Sequence, residues 1–277
     1  MQEQLHINVL AAQCGVIGVN SYIQVNIMLT EMTTKRRGRK PLVPKHLAPQ
    51  ELADIYDQAF EAMPATPGPL LDAALHLRYQ VLCEERQLLR PADYPTKTEF
   101  DAFDVHAMHA VLCYRQDRSI AGTLRVIMPD EGITLPAFGR CPQLRDEISM
   151  HNTAELSRFV IAKQFRRRWD DNFYGAVTEM PGDGHSQRRI PHMSLGLLRM
   201  ALEYMVGRGI THVVALTEPS MMKLLEKLGI HFAPVGELVE CHGLRQPCYA
   251  KLENVLRRMK QERPDVWHYI TDNGRFG

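Results

Sequence analysis

The chain has 277 residues, 45% of them hydrophobic and 23% charged, with a formal net charge of +1. That balance suits a globular domain with a sizeable core and excludes a disordered polymer, and near-neutrality argues against nucleic acid as a partner of the whole chain. The apolar runs are too short and interrupted to span a bilayer, and the cysteines (Cys14, Cys83, Cys113, Cys141, Cys241, Cys248) show no CxxC spacing, so they read as reduced thiols of a cytoplasmic protein.

Residues 1–48 read as a poorly ordered leader. It carries a basic run, Lys35-Arg36-Arg37-Gly38-Arg39-Lys40, after its apolar part, the reverse of a secretory signal. Met28 and Met32 just upstream are alternative starts of translation. The run is read as a solvated tail, with a DNA-minor-groove hook as the alternative. Residues 49–277 are expected to form one domain. A helix is predicted from Pro49 to about Met63 and, past the Pro64–Pro69 breaker, a second from Leu70 to Leu89. Leu71, Leu75, Arg78 and Leu82 share a face of the second, so Arg78 must snorkel out or meet a carboxylate. Strands are predicted at Ala107–Arg115 and Ile120–Met128, joined as a hairpin, and at Ala154–Ala162. A loop through Pro181–Gly184 precedes an amphipathic helix, Met193–Arg208. A buried strand Thr211–Leu216, a short helix Ser220–Leu228, and strands at Phe232–Glu240 and Cys248–Leu252 complete the order. The pattern is that of an α/β protein, a mixed sheet with helices on both faces.

The densest polar constellation is Glu99-Phe100-Asp101-Ala102-Phe103-Asp104. Carboxylates interleaved with phenylalanines need cationic partners or a metal, and the segment lacks the turn glycine and closing glutamate of a calcium loop. Arg125 lies inside a strand, and Glu155 and Arg158 share another. On a regular strand those two point to opposite faces; a β-bulge between them would bring both to one side and splay the strand from its neighbour. A purely structural ion-pair network of Arg78, Arg125 and Arg158 with the acids is the competing reading.

Arg78 with Val81–Glu85, Glu99-x-Asp101-x-x-Asp104, Arg125 and Glu155-Leu-Ser-Arg158-Phe159 resemble, in order and spacing, the acyl-homoserine-lactone synthases, a branch of the GNAT-fold acyltransferases. Leu77–Arg86, Leu216-Thr-Glu-Pro-Ser220, His242-Gly-x-Arg-Gln-Pro247 and Arg263–Trp267 look closer to the PEP-CTERM/exosortase-associated acyltransferases and long-chain N-acyl amino acid synthases. The resemblance spans residues 70–270 and implies a GNAT-like mixed sheet and transfer of a fatty acyl group from a carrier thioester to the amine of a small acceptor, an amino acid. It assigns Glu99 as general base and Asp101 as holder of the ammonium or a water. Arg125 and Arg158 orient the acids, Asp104 and Glu155 complete the network, and Arg78 supports it. Backbone N–H groups around Phe159 and Val160 would hold the oxyanion. Cys83 as a nucleophile is the weaker idea. No cofactor or metal is expected beyond the thioester co-substrate, acyl carrier protein or acyl-CoA. Carrier protein is preferred because Lys163–Trp169 lacks the glycines of a pyrophosphate loop and offers Arg166, Arg167 and Arg168 instead. Two alternatives stand: an autoinducer synthase using S-adenosylmethionine, and a non-catalytic, lipid-sensing DNA-binding regulator.

Overall fold

The computed structural model describes residues 48–166, 177–180, 188–191 and 193–277; the expected leader lies outside the described residues. Helix α1 (Pro49–Ala59) buries Leu52 and Tyr56 one turn apart. At Phe60 the backbone becomes extended (φ −127°, ψ 155°), and β1 (Phe60–Pro64) pairs antiparallel with β2 (Ala107–Tyr114), Phe60 opposite Tyr114. The helix expected to reach Met63 therefore stops early. Strand pairing and complete burial of Phe60 override the helical preference of Glu61-Ala62-Met63.

Helix α2 (Pro69–Tyr79) continues into a wider π-helical turn, Gln80–Glu85, closed by the Arg86 N–H on the Val81 carbonyl at 3.0 Å. The predicted extension to Leu89 is thus replaced by a π turn and a loop, a deviation that re-aims Leu82 and Arg86. The hairpin of β2 and β3 (Ile120–Ile127) forms as read. Two short helices, α3 (Pro136–Arg140) and α4 (Leu144–Glu147), lead to β4 (Thr153–Ile161). Beyond a separate two-stranded ribbon, β5 (Val177–Met180) with β6 (Arg188–Pro191), come α5 (Ser194–Gly207), β7 (His212–Thr217) and α6 (Pro219–Lys227). The strand expected over 232–240 is only two short pieces, β8 (Ala233–Pro234) and β9 (Val239–Glu240), both paired with β10 (Leu244–Lys251). Pro234 and Gly236, at φ 61°, break the run. Helices α7 (Leu252–Glu262) and α8 (Pro264–Ile270) follow.

The main sheet is eight-stranded in the order β1-β2-β3-β4-β7-β10-β8, with β9 beside β10. Its β4–β7 pair is parallel. Successive β7 residues enter different cores: Val213 belongs to the cluster that includes residues of α1, α5 and α8, whereas Val214 belongs to the one that includes Leu135, Phe138 and Leu144. Both faces are covered, which is why β7 reads as an unbroken apolar run. The Tyr56 hydroxyl donates to the Met193 carbonyl (2.6 Å) and accepts the Gly196 N–H (2.9 Å), so α1 holds the first turn of α5.

Two irregularities at β4 shape the centre of the molecule. Between Thr123↔Val160 and Arg125↔Ser157, Leu124 alone faces Arg158 and Phe159, a β-bulge with Arg158 at φ 50°. On the other side, the β4–β7 ladder ends at Leu156↔Ala215, although the strands run on to Ile161 and Thr217. The result is a wedge between the two parallel strands. A left-handed arginine costs on the order of 1–3 kcal/mol and persists only where its surroundings over-determine it.

Candidate active site

The network that over-determines Arg158 begins on α2. Arg78 is buried there and donates from Nε to Glu99 Oε2 (2.5 Å), from Nη1 to Asp104 Oδ1 (2.6 Å) and from Nη2 to Asp104 Oδ2 (3.1 Å). Arg158 reaches from the bulge to the same glutamate, with Nε 3.0 Å and Nη2 2.9 Å from Oε1, and bonds Asp101 Oδ2 at 2.8 Å. Arg125, opposite Ser157, donates to Asp101 Oδ1 (2.6 Å) and to Ser157 Oγ (3.0 Å), and its Nη1 lies 3.1 Å from Asp104 Oδ1. The Asp101 N–H also bonds Asp104 at 2.7 Å, tightening the acidic loop. Arg78, Glu99, Asp101, Asp104, Arg125 and Arg158 are therefore one network of alternating charge. Burial would raise the Asp104 carboxyl, but Arg78 and then Arg125 outweigh it and hold it well below the usual carboxylate range.

The two glutamates differ sharply. Glu99 is 0% exposed, wrapped by the guanidinium groups of Arg78 and Arg158, and absent from the wall of the adjoining cavity. A carboxylate so occupied by two guanidinium groups and set back from the cavity wall suits holding Arg78 and Arg158 in place better than taking a proton from a substrate. Glu155 lines the cavity, buried, and accepts the Ala137 N–H at 2.8 Å. Burial pushes its carboxyl up to about 7, against the lowering effects of that N–H, Arg125 and Arg158. Asp101 also lines the cavity and keeps 26% of its side chain exposed.

The cavity has a volume of about 580 Å³ and occupies the wedge, with Ser157, Phe159 and Val160 on one side and Leu216 and Thr217 on the other. Leu198, Met221 and Leu225 give it an apolar wall. The Ala162 N–H bonds the Ala121 carbonyl at 2.8 Å. Two residues earlier, Val160 stands opposite Thr123 in the same phase, so its amide belongs to the β3 ladder and not to the wedge. That corrects its place in the expected oxyanion hole. Arg166 is ion-paired with Glu85 and largely buried, a correction to its reading as part of an exposed patch; Arg167 and Arg168 lie outside the described residues. Burial pushes the Cys83 thiol up to about 11, and Cys83 is not on the cavity wall, which removes it as a nucleophile.

Sequence reasoning missed several cavity residues: Arg86, Arg140, Glu218, Cys241, His242 and Arg245. Arg86, Glu218, His242 and Arg245 belong to motifs noticed in the sequence, but only the fold brings those motifs together. Among the described residues no helix is long and apolar enough to cross a membrane.

Residues 77–171 match the family model of the acetyltransferase (GNAT) domain. No curated protein matches the chain. Among solved structures, TofI in a ternary complex with an inhibitor and MTA is similar at a TM-score of 0.52 and 19% identity, over 74% of this chain and 96% of that one. BjaI, a CoA-dependent acyl-homoserine lactone synthase solved with SAM and isopentyl-CoA, gives 0.51 and 17%, over 77% and 98%. FeeM, an N-acyl amino acid synthase from uncultured soil microbes, gives 0.50 and 15%, over 72% and 93%. The exosortase side of the sequence resemblance has no counterpart among these three. The chain has a GNAT-like acyltransferase fold, a mixed central sheet flanked by helices, with its charged network at the parted β4–β7 seam.

Proposed function

We propose that the protein is an N-acyltransferase that moves a fatty acyl group from a thioester to the amine of a small acceptor, with the two substrates meeting in the β4–β7 wedge. The observation that carries this reading is Glu155, a carboxyl raised to about 7 on the cavity wall, facing an otherwise charge-compensated network. Such a group can take a proton near neutral pH. The acceptor arrives as an ammonium ion beside Asp101 and loses its proton to Glu155. The amine then attacks the thioester carbonyl, forming the C–N bond. The C–S bond breaks as the tetrahedral intermediate collapses, and the second proton of the attacking nitrogen passes to the departing sulfur, leaving an amide and a thiol. No covalent enzyme intermediate is needed. Arg125, Arg158 and Glu99 fix Asp101 and the bulge in place.

The likeness to BjaI supports S-adenosylmethionine as acceptor, the reading we put first. The likeness to FeeM supports a free amino acid as the second reading. The donor is a thioester of acyl carrier protein or coenzyme A, and we keep the carrier first because the Lys163–Trp169 stretch has no glycine loop for a pyrophosphate. The DNA-binding alternative draws on Lys35–Lys40 alone, outside the described residues. The test is to incubate purified protein with decanoyl carrier protein or decanoyl-CoA against S-adenosylmethionine and against free amino acids, and to identify products by mass spectrometry. Acylated amino acids without any S-adenosylmethionine-derived product would install the second reading. No N-acyl product from any acceptor would overturn the transferase reading.

A further inference from the structure

An acceptor carrying both an amine and a carboxylate needs a cation as well as a base. The network does not offer one readily, because the hydrogen bonds of Arg125 and Arg158 run to Glu99, Asp101 and Ser157. Elsewhere the wall of the same cavity carries three further arginines, Arg86, Arg140 and Arg245, together with Glu218. Arg86 Nη1 lies 2.6 Å and Arg245 Nη1 3.1 Å from the same Glu218 oxygen, so two guanidinium groups share one carboxylate. Arg140, at the end of α3, also lines the cavity, is exposed, and makes no ion pair among the described residues. Arg245 is held in place by its Nη2 bond to the His242 carbonyl at 2.7 Å and its Nη1 bond to the Leu244 carbonyl at 3.2 Å, which with Glu218 leave its Nε–H and one Nη2 N–H for a ligand. His242, in the left-handed region at φ 53°, feels the charges of Arg158 and Glu99 as well as those of Arg245 and Arg140. The cation-rich wall therefore adjoins the network instead of standing apart from it.

We propose that Arg140 and Arg245 form a subsite for the carboxylate of the acceptor, with Glu218 and Arg86 holding Arg245 in position. The proposal rests on the acyltransferase reading for the identity of the ligand, but not for the existence of the subsite. It gives a role to Glu218 and Arg245, which sit in two motifs the acidic cluster leaves unused. A guanidinium fork meets a carboxylate through paired hydrogen bonds, and a neutral carboxamide cannot replace that charge.

The test compares S-adenosylmethionine and free amino acids with their carboxamides, in turnover and in calorimetric binding without donor. The wild-type protein should prefer the free carboxylate by about 10²-fold in kcat/KM. Arg140→Gln, which removes an exposed side chain with no ion pair among the described residues, should cut that preference about tenfold. Arg140→Gln with Arg245→Gln should abolish it, Arg245→Lys should restore part of it, and the KM for the thioester should change less than twofold throughout. A preference for carboxylate that survives both substitutions overturns the subsite, as does a rise in donor KM instead of acceptor KM. Binding that depends on the carboxylate and on Arg140, without acyl transfer, would support the subsite and sink the transferase reading.

Discussion

At the residue scale, Glu99 and Glu155 differ in what surrounds them, and the difference separates stability from chemistry. Glu99→Gln leaves the Arg78 and Arg158 guanidinium groups short of a buried counter-charge, and breaking a buried pair in this way costs about 3–5 kcal/mol. Denaturant unfolding should show that loss. Glu155→Gln keeps the Ala137 N–H bond to a side-chain oxygen while removing the base. It should lower kcat by about 10²–10⁴-fold with the unfolding midpoint little changed. The reverse pattern, activity lost at Glu99 and stability at Glu155, would return Glu99 to the role of base. The pH dependence follows from the same two environments. Glu155 titrates at about 7 in the folded protein against 4.5 ordinarily, so between those values the folded state holds a proton the unfolded chain has lost. Its contribution to stability therefore falls as pH rises through that window, while kcat rises through about 7 as the base is freed. Asp104 acts oppositely: its depressed carboxyl stabilises above the ordinary carboxylate range, and that contribution is lost as pH falls. A Glu155→Gln protein whose residual activity keeps the rise near pH 7 would show that another group supplies it.

At the element scale, the hairpin, β4, α5, β7 and α6 were legible because alternation and helical spacing act within a few residues. The charged network was legible too, since an arginine in an apolar stripe and acids among phenylalanines are each costly without partners. What local reasoning missed was set by contacts far along the chain. β1 is extended because β2 lies beside it, and the helix after Arg78 widens into a π turn at Gln80–Glu85. The bulge was expected between Glu155 and Arg158, yet it falls on Arg158 and Phe159, held by carboxylates some sixty residues back in sequence. Its fit can be probed at Gly122 on β3. A Cβ there would stand 2.7 Å from Ile161 Cδ1 and 3.0 Å from the Val160 carbonyl oxygen, so the backbone beside the bulge would have to move. Gly122→Ala should destabilise by about 1–3 kcal/mol and lower kcat together with the melting temperature. Full activity and an unchanged melting temperature would mean that β4 yields at no cost and that its bulge is not a tuned feature.

At the scale of the whole molecule, a net charge of +1 provides little long-range field, so an acidic carrier protein would have to be attracted by a local patch. The sequence suggests one in Arg166-Arg167-Arg168; of these Arg167 and Arg168 lie outside the described residues, and Arg166 is committed to Glu85, on the π turn that leads to Arg86. Reversing its charge should therefore act on stability, because Arg166→Glu sets two carboxylates against each other under limited solvent access. The melting temperature should fall while the KM for either donor stays within twofold. Arg167→Glu with Arg168→Glu should do the opposite, leaving the melting temperature unchanged and raising the KM for the acyl carrier at least fivefold, with kcat at saturation preserved. The carrier should outperform the matched acyl-CoA at low ionic strength, and that advantage should shrink as salt shortens the reach of the patch from about 10 Å at 0.1 M to about 3 Å at 1 M. Equal use of both donors at every salt concentration would make coenzyme A the sufficient donor. The glycine loop would then be dispensable here, and the pyrophosphate would have to be held by side chains.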